Sequence, residues 1–436
     1  MNLPNRPLAA LLVLAAVSWH ALAHVLPAWQ TLHAQPGGAR DFASYYYAVH
    51  AASRGEDPYD TRALTSLARD QHERRAVHPF LYPPPFLLAV AWALPLDLRT
   101  AYAAWFWLDV AWAALAALAL WRWWRPLGPA VPVLIAALVA ANTAMASNHL
   151  MGQANFPGLA LSILAMLALE RRRAGLAGAL LGAACMLKMS PALLVLWWAL
   201  RREWRAVAAA CVTAAVLSMA ALPLAGPEVQ LGFYTRVLPT FGSGDYNGLR
   251  VPIDLFGNHS VPNLWATAFP GGSARVLSPT ARAASALSAV ALLAAMGWAF
   301  RGRRPDDVRR AAQFSAVCVA MLLIPVYTYE HHAVWALPAA VLASLALMRG
   351  WLHPAWAVAL LPSLVMWCFE LSWLKARWIE LGETTAPALV VRELKFVALV
   401  VLFAAMVSLG ARGPRAPLPR NPSEERHTAR SGGARY

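Results

Sequence analysis

Asp41 opens the run Arg40-Asp41-Phe42-Ala43-Ser44-Tyr45-Tyr46-Tyr47, one carboxylate followed by three consecutive tyrosines. A carboxylate beside a substrate hydroxyl can take its proton, and rings such as Tyr45 and Tyr46 can stack on a sugar or a lipid head group. These types suit base-catalysed transfer from a lipid-linked donor, with Asp41 as the base. Partial burial at a membrane surface raises a carboxyl pKa toward a useful working range. The competing reading is an Arg40-Asp41 surface pair or a helix N-cap.

A second group of residues suits an anion. Lys188 interrupts the apolar run Leu176 to Leu187, where an ammonium is costly unless it is paired, and a donor phosphate would pair it. Snorkelling to the interface is the alternative. Arg250, Arg275 and Lys375 compete for the same role. His331 and His332 follow Tyr327-Thr328-Tyr329-Glu330 and suit a donor phosphate or its departure. Two adjacent histidines and a glutamate lack the spacing of a metal-ligand set, so no metal and no cofactor are predicted. The turn Gly152-Gln153-Ala154-Asn155 offers amides for sugar hydroxyls at Gln153 and Asn155, with Gly152 permitting close backbone approach. Asp109 falls inside an apolar segment and is predicted to face protein, paired or protonated, in a structural role. Trp265 and Trp373 are the tryptophans placed for sugar stacking; most others read as an interfacial belt.

The elements that must hold these residues are membrane helices. Apolar residues make up 59% of the chain and charged residues 14%, and apolar runs of roughly 20 residues recur. The fold class is therefore all-α, polytopic and membrane-embedded. Arginine-rich turns at 122–125, 170–173, 201–205 and 301–310, at Arg349 and after Gly410 mark the cytoplasmic face. The polar stretches fall on the other face: outer loops at about 27–80 and 226–281, the turns at 148–155 and 188–191, and the segments 327–332 and 369–387. Parity makes Pro84 to Leu96 an interfacial helix after the triple proline, and Thr100 to Trp121 a true span. Ala174 to Leu200, flanked by basic turns, must enter and leave as two short helices meeting near Lys188. The sum is about twelve spans with both termini inside, forming a single domain over 1–410 and a disordered basic tail over 411–436.

The net charge of +15 comes from arginines in short loops and the tail, so it reads as topology signal and excludes nucleic acid as a partner. Cys185, Cys211, Cys318 and Cys368 all sit in apolar segments, which predicts no disulfide. The first apolar segment, Pro7 to Leu26, is longer than a signal-peptide core and reads as a retained helix.

The chain resembles the membrane-embedded GT-C glycosyltransferases, and among them glycosyltransferase family 87, the polyprenol-phosphate-mannose-dependent alpha-mannosyltransferases. The resemblance rests on Asp41 with Tyr45-Tyr46-Tyr47-Ala48, Gly55-Glu56-Asp57-Pro58-Tyr59, Tyr82-Pro83-Pro84, Gly152-Gln153-Ala154-Asn155, Lys188-Met189-Ser190-Pro191 and His331-His332, in that order. It implies a polyprenyl-phosphate sugar arriving sideways from the outer leaflet and a glycan or glycolipid acceptor approaching from water. It also implies Asp41 as general base and one inverting displacement, the active site facing the periplasm or exterior. A lipid-sugar transporter or flippase is the rival reading, with Lys188, Asp109 and Glu370 lining a pathway. Polar residues gathered at one face, not at the midplane, argue against it.

Overall fold

A computed structural model describes residues 6–34, 40–72, 77–249, 251–301 and 305–415. Every regular element among them is helical, and a helix satisfies its backbone polar groups within its own segment, as a bilayer demands. Six helices are long and apolar enough to cross a membrane: Pro7–Leu32, Leu98–Leu127, Trp204–Gly242, Pro279–Ala299, Glu330–Arg349 and Ala386–Arg412. Two bent pairs, Val131–Ala141 with Thr143–Met151 at 63° and Trp356–Cys368 with Leu371–Glu380 at 100°, bring the number to eight. The twelve predicted from charge alternation also counted shorter helices such as Asn155–Glu170 and Ala174–Leu187.

Both departures from simple alternation are present. A short helix, Phe86–Val90, follows the triple proline and passes into a 3-10 turn before Leu98–Trp124 begins. Asp97 caps that long helix, its side chain accepting from the Thr100 amide. The helices Ala174–Leu187 and Ala192–Leu200 are separated by Lys188–Pro191, where Pro191 cannot continue the first helix and sits just ahead of the second.

The two loops predicted for the outer face hold more structure than predicted. The first holds the helices Arg40–Ser53 and Thr61–Asp70, because the tyrosine run buries an apolar face against Phe80, Phe86 and Trp105. Into the second, the Trp204–Gly232 helix continues past a break at Gly226, whose φ of 74° a residue with a Cβ adopts only under strain. The last helix runs to Arg412, two residues into the tail predicted as disordered from 411, and the rest of that tail from 416 onward lies outside the described residues.

Burial separates the helices by role. The best apolar window is 78% buried in Glu330–Arg349 and 11% in both Pro7–Leu32 and Trp204–Gly242. One helix is thus the centre of the bundle, and two present their apolar faces outward, where lipid would replace protein contacts. The basic turns meet at one end, where Arg310 pairs with Glu170 at 3.3 Å and Arg309 donates to the Arg412 carbonyl at 2.9 Å. The turns predicted for the outer face meet at the other end, around a cavity.

Candidate functional site

The cavity has a volume of about 860 Å³ and is contributed by segments far apart in the chain. Asp41 lies in the first turn of Arg40–Ser53, where the helix dipole favours a negative charge. One carboxylate oxygen, Oδ1, is 3.2 Å from His78 Nδ1. The other, Oδ2, accepts from Gln153 Nε2 at 2.7 Å. The Gln153 carbonyl oxygen accepts from the Tyr82 hydroxyl at 3.0 Å, and the Tyr82 and Tyr45 hydroxyls are 2.6 Å apart. This network turns the Gln153 amide so that its NH2 faces the acid.

Gly152 makes the approach possible. Its φ of 68° ends the Thr143–Met151 helix, and a Cβ there would stand 2.8 Å from Phe42 Cβ and 3.1 Å from a Tyr102 ring carbon. The turn carrying Gln153 therefore packs directly on the helix carrying Asp41.

Burial raises the Asp41 pKa, as predicted, but the hydrogen bond from His78, the nearby His331 ring and the Gln153 amide outweigh it. The carboxyl ends below its ordinary value, which corrects the expectation of a raised one. The physical reason is that both oxygens accept hydrogen bonds, which favour the charged form. At neutral pH Asp41 is an ionised acceptor, suited to a base and not to an acid.

Lys188, His331 and His332 line the same cavity. Lys188 Nζ donates to Asn155 Oδ1 at 2.5 Å and has no ion-pair partner among the described residues. His332 Nδ1 accepts from the Tyr329 amide at 3.0 Å, which caps the turn and fixes the ring.

Other predicted residues are placed elsewhere or lie outside the described residues. Tyr46 points away from the cavity and donates to the Leu96 carbonyl at 2.8 Å. Asn155 is fully buried behind the wall, its amide spent on Asn148, His331 and Lys188, so it holds a cavity residue and does not face the cavity. Arg250 lies outside the described residues. Trp265 donates to Ser288 and Trp373 is exposed, and neither lines the cavity. Arg275 and Lys375 are absent from the lining as well.

Sequence reading missed His78 and Arg282. His78 sits beside Pro79, near the Tyr82 motif, but its partner is 37 residues away. Arg282 lines the cavity from the start of Pro279–Ala299, and a basic residue opening an outer helix end was the available signal.

The profile of glycosyltransferase family 87 matches residues 80–325, more than half of the chain. Gln153 and Lys188 fall inside that stretch, Asp41 and His78 before it, and His331 and His332 after it. Among curated proteins, the chain is 30% identical over 189 residues to the polyprenol-phosphate-mannose-dependent alpha-(1-2)-phosphatidylinositol mannoside mannosyltransferase of Mycolicibacterium smegmatis. That alignment covers 42% of this chain and 40% of the relative, so the chain spans less than half the length of that protein.

Proposed function

The chain belongs to glycosyltransferase family 87, a membrane glycosyltransferase, and on that premise we propose that it moves a hexose from a polyprenyl-phosphate donor to an extracytoplasmic glycan or glycolipid. Mannose is the sugar the family and the mycobacterial relative suggest. Asp41 is the general base. An acceptor hydroxyl loses its proton to the free lone pairs of the Asp41 carboxylate as its oxygen bonds to the anomeric carbon. The bond from that carbon to the phosphate oxygen breaks, and polyprenyl phosphate departs with the electron pair. One displacement inverts the configuration.

Lys188 meets the donor phosphate, where a charge-assisted contact gains strength from the apolar surroundings. His331 and His332 stand beside it as further contacts to the phosphate. Tyr45 and Gln153, tied to Asp41, orient the sugar or the acceptor. The reading is carried by one observation: among the described residues, a single cavity holds an ionised carboxylate with no lysine or arginine paired to it and a lysine with no carboxylate paired to it.

The test is transfer from radiolabelled polyprenyl-phosphate sugars to membranes of the source organism by the purified protein. Labelled product from the mannose donor, with consumption of the monophosphate lipid, is expected. Consumption of only a diphosphate-linked sugar, or movement of the lipid between leaflets without transfer, sinks the proposal.

A further inference from the structure

Behind the cavity wall, side-chain hydrogen bonds run from a carboxylate inside the bundle to the Lys188 ammonium. Asp109, enclosed on the Leu98–Trp124 helix, accepts at Oδ2 from Asn148 Nδ2 at 2.9 Å and from His149 Nδ1 at 2.7 Å. Asn148 Oδ1 accepts from Asn155 Nδ2 at 2.8 Å, and Asn155 Oδ1 accepts from Lys188 Nζ at 2.5 Å. Trp335 Nε1 donates to the same Asn155 oxygen at 3.2 Å.

The direction of this chain is set by its ends. At the Lys188 end the Trp335 indole N–H only donates, and at the Asp109 end the Gln153 backbone carbonyl, which shares Asn148 Nδ2, only accepts. Two asparagines between such ends have one orientation that satisfies every contact: NH2 toward Asp109 and oxygen toward Lys188. A side branch runs from Asn148 Nδ2 to the Gln153 carbonyl at 3.4 Å, the residue that bonds Asp41.

We propose that Asp109 is a positioning residue for Lys188. It fixes the Asn148 amide and through it the Asn155 amide. Asn155 then takes one Lys188 N–H and leaves the other two for an anion in the cavity. Asp109 touches no substrate and acts only through the asparagines. The inference rests on Lys188 as the contact for the donor phosphate.

The experiment uses the full-length protein in detergent and a short-chain prenyl monophosphate without sugar, with Kd read by calorimetry. Lys188→Met is expected to weaken binding by about 10- to 100-fold, the range for a lost charge-assisted hydrogen bond. Asp109→Leu, which removes the acceptor, is expected to weaken it by about 5- to 10-fold, one lost hydrogen bond's worth. Asp109→Asn recovers most of that loss, because an amide oxygen can accept both donors. In a Lys188→Met background Asp109→Leu should add nothing, since the group it positions is gone.

Asn148→Leu keeps the Asp109–His149 pair and cuts the chain in the middle, so it reproduces the Asp109→Leu loss even where the latter does not fold. Wild-type affinity in folded Asn148→Leu overturns the inference. So does an Asp109→Leu loss that persists in full on the Lys188→Met background, the mark of a merely structural acid. Unchanged binding by Lys188→Met overturns the phosphate reading itself, and is distinguishable because it appears in that variant alone.

Discussion

Asp41 and Glu330 both line the cavity and both have a histidine neighbour, His78 at 3.2 Å and His259 at 3.6 Å. They differ in what else reaches the carboxylate. Glu330 is held by Lys395 Nζ at 2.5 Å and by the Thr143 hydroxyl at 3.2 Å, and both Lys395 and Glu330 are buried. Asp41 has only neutral donors beyond His78, and its side chain is 16% exposed. A carboxylate locked to an ammonium is a poor proton acceptor, because protonating it would strand a buried cation. An open carboxylate held by an imidazole and an amide stays charged without that partner. Two acids at one cavity are thus divided into a fastener and an open proton acceptor by a single lysine contributed from the last helix.

The sharpest way to break this division is to neutralise each acid. Asp41→Asn should lower transfer by about 10² to 10⁴ while prenyl-phosphate binding and folding persist, the signature of a lost base. Glu330→Gln should instead destabilise the protein by about 3 to 5 kcal/mol, the cost of leaving a buried charge unpaired. Most of that stability, with transfer of wild-type order, should return in Glu330→Gln combined with Lys395→Met. Near-native transfer by Asp41→Asn, or abolished transfer in the stable double variant, would exchange the two roles.

A smaller effect sharpens the part His78 plays. The Asp41 pKa is below its ordinary value, so the base form exists above that pKa and is lost as pH falls through it. Asp41 alone then puts its acidic limb in kcat/KM below the ordinary carboxylate value. His78→Ala removes the largest of the groups that oppose burial, so burial should raise the carboxyl and the limb should move upward in pH. Transfer at neutral pH should fall by less than the roughly 10²-fold that marks loss of the base itself. A profile unmoved by His78→Ala would mean that His78 only fills the mouth of the cavity.

Tyr46→Phe tests the smallest difference, between neighbouring tyrosines. It removes a hydrogen bond to the Leu96 carbonyl and should cost about 1 kcal/mol of stability with no change in KM for donor or acceptor. A raised KM would return Tyr46 to the cavity.

That pair of tyrosines also explains what the sequence could and could not reveal. Asp41 and Tyr45 are four residues apart and share a helical face, whereas Tyr46 is turned about a hundred degrees away. Treated as loop residues, the tyrosines are equivalent; in the Arg40–Ser53 helix they are sorted. The short helices around Lys188 and the short helix after Pro85 were legible, because positive-inside parity and proline are local signals. The enclosure of Asp109 was legible too, since charge in an apolar helix must be paired. The roles of Asn155 and Glu330 were not, because they depend on Trp335 and Lys395, contributed 180 and 65 residues later. A polar residue's chemistry is set by its partner, and sequence does not list partners across that distance.

The Glu330–Arg349 helix, most deeply buried of the spans, also has a consequence for biogenesis. It leaves the ribosome after Asp41, Gln153, Asn155 and Lys188, and Lys395 comes later still. Early helices must therefore wait in the bilayer with Asn155 lacking its His331 carbonyl and Trp335 indole contacts. Lys395, later still, fastens the central helix through Glu330. A chain stopped before residue 330 carries Asp41 but lacks the residues that close the cavity around it and satisfy Asn155.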